Sequence, residues 1–428
     1  MSKFKYVLIG GSAGAVGAVE AIREIDSSGS LALISDESLL AYSRPMIGEY
    51  LSGEVTIEGI MYRTGEFWNL SKVHLFCKRA IRIDLDDKFI MLDDEEKIGF
   101  EKLLIATGSK PRTIEIDGID KDGVFNFNTL TDADAIRMKI GEIKKAIIIG
   151  GGLIGVCMAE ALAKRGIEVT LVELRENLLS LLLDSVASNI IRTAVQKKGV
   201  NIITDHSVQR IKGTENNNNK VKGVVLDSGE EILCDIVMVA IGVIPCIDLV
   251  RGTKIKINRG IVVSRFMRTS VPDVYACGDV AEAYDFVLDK SRVLPQWPIA
   301  YLGGKVAGYN MAGETFKYPG GTVMSALKYF DIPIIAIGQT NPKNSDECQI
   351  LTSHDLSGTS YKKVVLKKGK IIGLILVDDI ERAGLFFYLM SKGINVDRFK
   401  EKLLSEDFGF ITLPKRLRRT MLAESLTH

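Results

Sequence analysis

The sequence lacks the features of a disulfide-stabilised, metal-binding or nucleic-acid-binding protein. Its six cysteines are scattered, without a C-x-x-C pair or metal-ligand spacing, and none precedes Cys77. This pattern favours a reduced, cytoplasmic protein with no metal site and no iron–sulfur cluster of its own. Lys and Arg number 55 against 54 for Asp and Glu, so the charge balance gives no indication of nucleic acid as a partner.

Hydrophobic runs suited to a membrane are also lacking. Residues 3–22 have basic residues before an apolar run, as a signal peptide does, but their periodicity fits a strand and helix better. Residues 146–163 form an apolar run of 18 residues that contains a glycine cluster and Glu160. This run indicates a buried strand and helix, and we predict no membrane span.

What the 428 residues do contain is a strand-turn-helix-strand unit near the start, in a chain long enough for two or three domains. Its turn reads Gly10-Gly11-Ser12-Ala13-Gly14-Ala15, a helical pattern follows to about Ile25, and the second strand ends before Asp36 and Glu37. Such a turn can bind a pyrophosphate at the helix N-terminus, and the acid can accept a ribose hydroxyl. Ser12 and Ala15 replace two fingerprint glycines, so an ordinary strand-to-helix turn remains the alternative for this stretch alone.

A second unit of the same kind carries the complete G-x-G-x-x-G pattern. The motif runs from Gly150 to Gly155 after a short apolar strand, a helix extends through Lys164, and the next strand ends in Glu173. A carboxylate at that position accepts the ribose 2′-hydroxyl and repels a 2′-phosphate. We therefore predict NAD(H) in preference to NADP(H), although Arg175 weakens this preference.

A loop containing Arg44 and Pro45 follows the first unit. Because the residue before a proline avoids the helical region, we expect a loop that continues as a short helix near Met46. The loop could bring Arg44 to a phosphate or a flavin edge. The alternative is an ordinary surface loop with a solvated arginine.

Three buried strands end in small or acidic residues. Ala106 to Ser109 are small enough for the backbone to pass close to a ligand. The apolar strand at Ile236 to Ile241 runs into Gly242, as expected of a core strand that ends at a ligand crevice. A third strand ends in Gly278-Asp279, where the carboxylate either reaches a polar ligand chain or caps the following helix.

The pattern changes from about Tyr318 onward and predicts a third, α+β domain. Asn216 to Asn219, before it, read as an exposed hairpin loop, and the basic run from Lys415 to Arg419 reads as a solvated end or, less favoured, as a docking site for an acidic partner. The predicted strands of the third domain are 326–337, 362–366 and 371–377, and its predicted helices are 380–392 and 396–404.

Taken together, these stretches resemble the FAD-dependent pyridine nucleotide-disulfide oxidoreductase superfamily over almost the whole chain. The resemblance rests on A-T-G-S-K-P from Ala106, the glycine motif from Gly150, T-x-x-P-x-x-x-A-x-G-D from Thr269, and Trp297-Pro298 followed by Gly308 to Gly313. It implies an α/β fold with two Rossmann-like, glutathione-reductase-like domains and a C-terminal α+β interface domain. The implied ranges are 1–111 with 245–318 for the FAD domain, 112–244 for the NAD domain and 319–428 for the C-terminal domain.

The resemblance also implies which residues contact the two cofactors. For FAD they are Gly10, Ser12, Ala13, Gly14, Asp36, Glu37, Arg44, Pro45, Ala80, Ala106, Thr107, Gly108, Arg112, Gly278, Asp279 and Trp297. For NAD(H) they are Gly150, Gly152, Leu153, Ile154, Gly155, Glu173 and Gly242.

Within the superfamily, the electron acceptor is indicated by what the chain lacks. Disulfide reductases of this type have a redox cysteine pair and a His-Glu base, and related oxidases have one cysteine in the loop that here contains Arg44; this chain has neither. The loop and the C-terminal region look most like those of NADH:rubredoxin and ferredoxin reductases and of the flavin part of nitrite reductase. No catalytic residue is assigned, but Trp297, Glu49 and Cys157 are candidates for a supporting role; for Cys157, a buried helix position is favoured over a redox role.

The leading hypothesis is therefore an FAD-dependent enzyme that passes electrons between NAD(H) and an iron–sulfur protein or subunit. The alternatives are an NADH oxidase that reduces oxygen and a flavin-binding redox sensor or scaffold without turnover. Dimerisation through the third domain, or membership of a larger redox complex, is expected by resemblance.

Overall fold

The computed structural model describes residues 1–38, 41–214, 219–342, 345–355 and 358–425. The helices are α1 (Ala13–Ile25), α2 (Ile47–Ser52), α3 (Ile57–Ile60), α4 (Gly65–Leu70), α5 (Leu130–Lys139), α6 (Leu153–Lys164), α7 (Ser185–Lys197), α8 (Trp297–Met311), α9 (Ala383–Ser391) and α10 (Lys415–Ser425). The strands are β1 (Ser2–Ile9), β2 (Leu31–Ile34), β3 (Val73–Phe76), β4 (Ala80–Asp84), β5 (Phe89–Leu92), β6 (Lys97–Ile105), β7 (Ser109–Pro111), β8 (Val124–Asn126), β9 (Lys145–Ile149), β10 (Glu168–Glu173), β11 (Asn201–Thr204), β12 (Val208–Gly213), β13 (Val221–Leu226), β14 (Glu231–Leu233), β15 (Ile236–Val239), β16 (Val243–Pro245), β17 (Ile261–Val262), β18 (Val274–Ala276), β19 (Ala281–Asp285), β20 (Lys290–Val293), β21 (Met324–Tyr329), β22 (Ile332–Gly338), β23 (Gln349–His354), β24 (Tyr361–Lys367) and β25 (Lys370–Val377).

The chain folds into two compact units. The first contains Met1–Ile114, Phe125–Glu142 and Ile241–Gly321, and the second contains Glu115–Val124, Ile143–Ala240 and Thr322–His428. The predicted NAD and C-terminal domains thus fall mainly within one compact unit, and the three-domain division stays a prediction. Within the residues that the structure describes, no helix has the length and apolar character needed to cross a membrane.

The first unit is built on a sheet whose parallel strands end level with one another. These strands run in the order β3-β2-β1-β6-β18, and the antiparallel strands β5 and β4 extend the sheet from the first half of β6. Ile9 at the end of β1 pairs with both Ile34 and Ile105, and Ile105 pairs with Ala276. The residues that follow these strands therefore share one edge, as in other open α/β sheets that bind ligands there.

Helix α1 crosses α8 with the two backbones in direct contact. A Cβ atom on Gly304 would lie 1.9 Å from the Gly14 carbonyl oxygen, and one on Gly308 would lie 2.5 Å from that of Ala18. A Cβ atom on Gly17 would likewise lie 2.3 Å from the Tyr301 carbonyl oxygen. This crossing, which only glycine permits, fixes the N-terminus of α1 at the edge of the sheet.

In its described residues, the second unit contains three sheets. Four parallel strands in the order β11-β10-β9-β15 form one sheet, β12-β13-β14 form an antiparallel sheet, and β21-β22-β25-β24-β23 form the antiparallel C-terminal sheet, on which α9 packs. Most of the predicted hairpin loop from Asn216 to Asn219 lies outside the described residues. The strands on either side of it, β12 and β13, pair in the antiparallel sense. The basic run from Lys415 lies in the first turns of α10.

Two predictions for the C-terminal region were wrong. The run at 326–337 is a hairpin and not one strand, because Phe330 and Asp331 turn the chain with φ values of 49° and 70°. The predicted helix at 396–404 is a series of turns with a short 3-10 helix at Lys400–Lys402. Its first residue, Val396, donates its N–H at 2.7 Å to the Gly369 carbonyl in the β24–β25 turn, which draws the backbone away from a helical path.

We expect Gly304→Ala to destabilise the first unit, because the new methyl group must push α8 away from the backbone of α1. The loss should be about 1–3 kcal/mol, as for other overpacked sites. Thermal unfolding followed by circular dichroism checks the prediction. The matched control is Gly65→Ala in α4, whose Cβ would meet no described atom within 4 Å. An unchanged melting temperature for Gly304→Ala would contradict the prediction.

Candidate functional site

The glycine turn after β1 is shaped by close backbone contacts. Gly10 has a φ of 107°, and its N–H donates to the Ile34 carbonyl at 2.8 Å. A Cβ atom on Gly10 would lie 2.2 Å from the Ala106 carbonyl oxygen, so no other residue fits. Ser12 and Ala13 then begin α1, and the Ser12 side chain does not cap this helix. The first-turn N–H groups of α1 thus meet the edge of the sheet, where a phosphate can bind.

The two turns have their close contacts at different glycines. In the second unit, a Cβ atom on Gly155 would lie 1.8 Å from the Gly150 carbonyl oxygen, so glycine is required there. In the first unit, Ala15 is buried, and glycine is required at Gly14 instead, where a Cβ atom would lie 2.8 Å from the sulfur of Cys277. The same turn is therefore built with different glycines in the two units.

Neither acidic residue after β2 occupies the position in the first unit that is equivalent to Glu173 in the second unit. The Gly10 N–H bonds to the last residue of β2, Ile34, as the Gly150 N–H bonds to Val172, so the residue that matches Glu173 is Ser35. Asp36 is exposed, whereas Glu37 is half-buried. The Glu37 carboxylate accepts the Tyr42 hydroxyl at 2.7 Å and also the Arg44 guanidinium. Of the two predicted acids, Glu37 is the one that the structure brings to Arg44.

Arg44 is held at the sheet edge by several groups. Its guanidinium donates to the Asn128 carbonyl at 2.8 Å and lies 5.5 Å from the centre of the Tyr42 ring. Burial opposes its charge, but Tyr42, Glu37 and Asp279 together raise its pKa above the usual value. Arg44 is therefore a partly buried, fixed cation, and the solvated-loop alternative does not describe it.

Asp279 lies in the same charged group. Its carboxylate accepts the Ser109 hydroxyl at 2.7 Å. Burial raises the pKa of Asp279, while Ser109 and the charge of Arg44 act in the opposite direction. The neighbouring Gly278 has a φ of 76°. Asp279 thus lies in a 3-10 turn, Gly278–Val280, with its carboxylate hydrogen-bonded to a side chain from β7.

The small residues after β6 run close to another segment of the first unit. The Thr107 hydroxyl donates to the Cys246 carbonyl at 2.9 Å, and the Gly108 carbonyl accepts the Cys246 N–H at 3.0 Å. Sequence reasoning missed Tyr42 and Asn128 as members of this site, and it predicted Ser109 only as a small residue that lets the backbone pass close to a ligand. The only sequence signal of Tyr42 was its position beside predicted site residues, and Asn128 lacked even that.

The remaining predicted FAD residues of the first unit, and Glu49, are exposed or half-buried. The Arg112 side chain is exposed, and its backbone N–H donates to the Gly242 carbonyl at 2.9 Å within the first unit. Pro45 is exposed in the 3-10 turn Arg44–Met46, and Ala80 is half-buried opposite Leu92. Glu49 is exposed on α2.

Trp297 begins α8 within an aromatic cluster. Its ring is edge-on to Tyr62 at 4.9 Å and parallel to Tyr301 at 6.0 Å. Among the described residues, neither its indole Nε1 nor the Tyr62 hydroxyl has a hydrogen-bond partner, although both atoms are buried. Buried donors without partners are costly, so these two atoms fit a site that a polar ligand completes.

The second glycine turn is closed by Glu173. One carboxylate oxygen accepts the Gly151 N–H at 2.5 Å, and the other accepts the Arg175 N–H at 2.8 Å. The Arg175 guanidinium turns away to the Ser180 hydroxyl at 3.1 Å. A Cβ atom on Gly152 would meet no described atom within 4 Å, which leaves space over the turn. Glu173 and the open turn lie together, as a dinucleotide site requires.

Leu153 and Ile154, the first two residues of α6, complete the predicted nucleotide-binding set in the second unit. Leu153 is 39% exposed and Ile154 is half-buried. Their position at the N-terminus of α6 places their N–H groups among those that no helical carbonyl accepts.

The two cysteines beside the charged group, Cys246 and Cys277, are poorly suited to a thiolate relay. All six lie within the described residues, and none forms a disulfide. Burial, with a smaller effect of Asp279, raises the pKa of Cys277 to about 12, so this thiol stays protonated at neutral pH. Burial also raises the pKa of Cys246. Cys157 lies half-buried in α6, in the second unit.

Residues 4–304 match the family of the pyridine nucleotide-disulphide oxidoreductases, and residues 324–394 match the rubredoxin NAD+ reductase C-terminal domain. The chain is 28% identical to the nitrite reductase [NAD(P)H] of Bacillus subtilis over 92% of its length, but it spans about half of that protein (48%). It is 29% identical to the NADH-dependent phenylglyoxylate dehydrogenase subunit epsilon of Aromatoleum evansii over 94% of both chains. It is 31% identical to the NADH oxidase of Methanocaldococcus jannaschii, covering 78% of this chain and 76% of the other.

Solved structures agree with this grouping. The NADH:rubredoxin oxidoreductase of Clostridium acetobutylicum superimposes with a TM-score of 0.76 at 26% identity, covering 93% of this chain and 98% of the other. The water-forming NADH oxidase of Lactobacillus brevis superimposes with a TM-score of 0.86 at 21% identity, over 99% of this chain and all of the other, which concerns the fold alone. The predicted fold class is thereby confirmed. Since the family match spans most of a chain that builds both glycine turns, the chain belongs to the pyridine nucleotide-disulphide oxidoreductase family.

Proposed function

We propose that this protein binds FAD in its first unit and NAD(H) in its second, and passes electrons between NAD(H) and an iron–sulfur carrier. The observation that carries the proposal is the pair of glycine turns, each with charged groups at the edge of its own sheet. The C-terminal match to the rubredoxin NAD+ reductase domain supports the choice of acceptor. A cytoplasmic protein, as a homodimer or a subunit of a larger complex, accords with the scattered cysteines and the resemblance.

The residues of the first unit fit FAD. Gly10 and the N-terminus of α1 provide a backbone cradle for the pyrophosphate, and Glu37 provides a carboxylate for the ribose. Asp279 and Ser109 offer hydrogen bonds to a polar chain, and the orphaned indole N–H of Trp297 offers another donor. When bound, FAD supplies the redox chemistry, while the chain supplies orientation and charge.

The chain's own residues are suited to holding reactants and not to moving protons. Arg44 is a permanent cation paired with Glu37, so it adds positive charge at the edge without titrating near neutral pH. In the second unit, Glu173 fixes the glycine turn and favours a free 2′-hydroxyl. Because hydride transfer needs no protein acid or base, we assign no proton-transfer residue.

Glu173→Gln should reduce the preference for NADH over NADPH, because the amide neither repels a 2′-phosphate nor accepts hydrogen bonds as strongly. We expect the ratio of kcat/KM for NADH to that for NADPH to fall about tenfold. The control is Glu168→Gln at the other end of β10, whose carboxylate forms an exposed ion pair with Lys145. An unchanged ratio in the Glu173 variant would show that this residue supports only the turn.

Because the site has no sulfur relay, we expect one equivalent of NADH to reduce one equivalent of bound FAD fully under anaerobic conditions. Absorbance titration measures this stoichiometry, and a second equivalent would indicate a reducible disulfide.

We also expect Cys157→Ser to leave turnover unchanged, because this half-buried thiol lies in a helix of the second unit. Loss of turnover in that variant, with FAD retained, would assign Cys157 a redox role.

The acceptor is tested by NADH oxidation with and without purified rubredoxin or ferredoxin. We expect carrier reduction, followed by the absorbance of the iron–sulfur centre, to exceed oxygen uptake. Pull-down of the native protein, followed by iron analysis of the proteins that accompany it, identifies the carrier. Failure of both carriers to accelerate NADH oxidation, with no iron protein recovered, would argue against this acceptor class.

Reduction of oxygen is the second candidate, favoured by the 31% identity to the NADH oxidase of Methanocaldococcus jannaschii. Oxygen uptake stoichiometric with NADH, and undiminished without a carrier, would support it. Reduction of the bound FAD by NADH within seconds in stopped flow would exclude a non-turnover sensor or scaffold.

A further inference from the structure

The hairpin of β21 and β22 places a tyrosine against the nucleotide turn of the second unit. Phe330 and Asp331 form the tight turn, and Tyr329, which precedes them, is 7% exposed. The Tyr329 hydroxyl donates to the Leu153 carbonyl at 2.8 Å. Beside it, Asp331 forms an ion pair with Lys198, at the end of α7, at 3.3 Å.

Strand β24 of the same sheet makes a second set of contacts, which centres on Asp184. Asp184 accepts the Tyr361 hydroxyl at 2.7 Å and pairs with the Lys363 ammonium at 2.9 Å, and Lys363 is 6% exposed. The same carboxylate caps α7 through the Ala187 N–H at 3.1 Å. Burial opposes the charge of Asp184, yet Lys363, Ala187 and Tyr361 together lower its pKa. Asp184 therefore remains a fixed, charged anchor.

Both sets of contacts involve segments that are joined to the glycine turn. Leu153 directly follows Gly152 and is the first residue of α6, whose N-terminus faces the pyrophosphate site. Asp184 ends the segment that begins at Glu173. That segment is bound to the turn through the Leu179 N–H, which donates to the Gly151 carbonyl at 2.8 Å.

We propose that Tyr329 is a positioning residue for the pyridine nucleotide. Its hydroxyl holds the first turn of α6 where the helix N–H groups meet the pyrophosphate, and the Asp184 anchor holds the segment that follows Glu173. The C-terminal sheet thereby pre-forms the nucleotide turn, which reduces the ordering that binding requires. This inference rests on the proposed binding of NAD(H) to the second unit.

The test is Tyr329→Phe in the FAD-loaded protein, with the dissociation constant for NAD+ measured by isothermal titration calorimetry. We expect that constant, and the KM for NADH, to rise about threefold to tenfold, the usual effect of one hydrogen bond. The value of kcat at saturating NADH, measured with ferricyanide, should not change. Tyr361→Phe should raise both constants less, because Asp184 keeps its bonds to Lys363 and Ala187.

The matched control is Tyr284→Phe in the first unit, which removes a hydroxyl bonded to Asp289 at 2.8 Å. We expect its NAD+ affinity to equal that of the wild type. Wild-type affinity in Tyr329→Phe, or a fall in kcat without a change in affinity, would overturn the inference and leave the proposed function standing. No NAD+ binding by the wild-type protein would overturn the proposed function itself. If Tyr329→Phe does not fold, Tyr361→Phe decides, and wild-type affinity there overturns the inference.

Discussion

The contact between the backbones of Gly10 and Ala106 is the constraint on which the first unit depends. A Cβ atom on residue 10 would lie only 2.2 Å from the neighbouring carbonyl oxygen, so the turn can form only if this residue has no side chain. This contact lets the chain leave β1, reverse and enter α1 within three residues, so that the helix begins at the level where β6 and β18 end. Ser109 and Asp279 lie at that edge because they follow β6 and β18, and Arg44 is held there by Glu37, which follows β2.

Local patterns predicted the parts of the fold in which neighbours in sequence are neighbours in space. Helix α1 ends at Ile25, α6 ends at Lys164 and β2 ends at Ile34, as the periodicity and the turn glycines indicated. The sequence could not distinguish Asp36 from Glu37, because the choice depends on which carboxylate contacts the side chains of Tyr42 and Arg44. It could not reveal Asn128, whose carbonyl reaches Arg44 from 84 residues away. The hairpin within 326–337 was missed because its turn uses Phe330, which is not a usual residue for positive φ, together with Asp331, which is.

Charge and burial act together in the first unit. Arg44 keeps its positive charge in a partly buried position because Glu37, Tyr42 and Asp279 surround it, whereas the Cys277 thiol, also buried, is kept neutral. The same sheet edge therefore presents fixed charges and hydrogen-bonding groups to a polar ligand and disfavours a reactive thiolate.

The order of the segments in the two units has a consequence for how such a protein can be divided or recombined. The polypeptide passes between the first and second units five times, at residues 114, 124, 142, 240 and 321. No single cut in the gene can therefore release either unit as a continuous fragment. Exchange of cofactor specificity between homologues by recombination would need several simultaneous junctions, so evolution of this architecture should proceed mainly by substitution within each half.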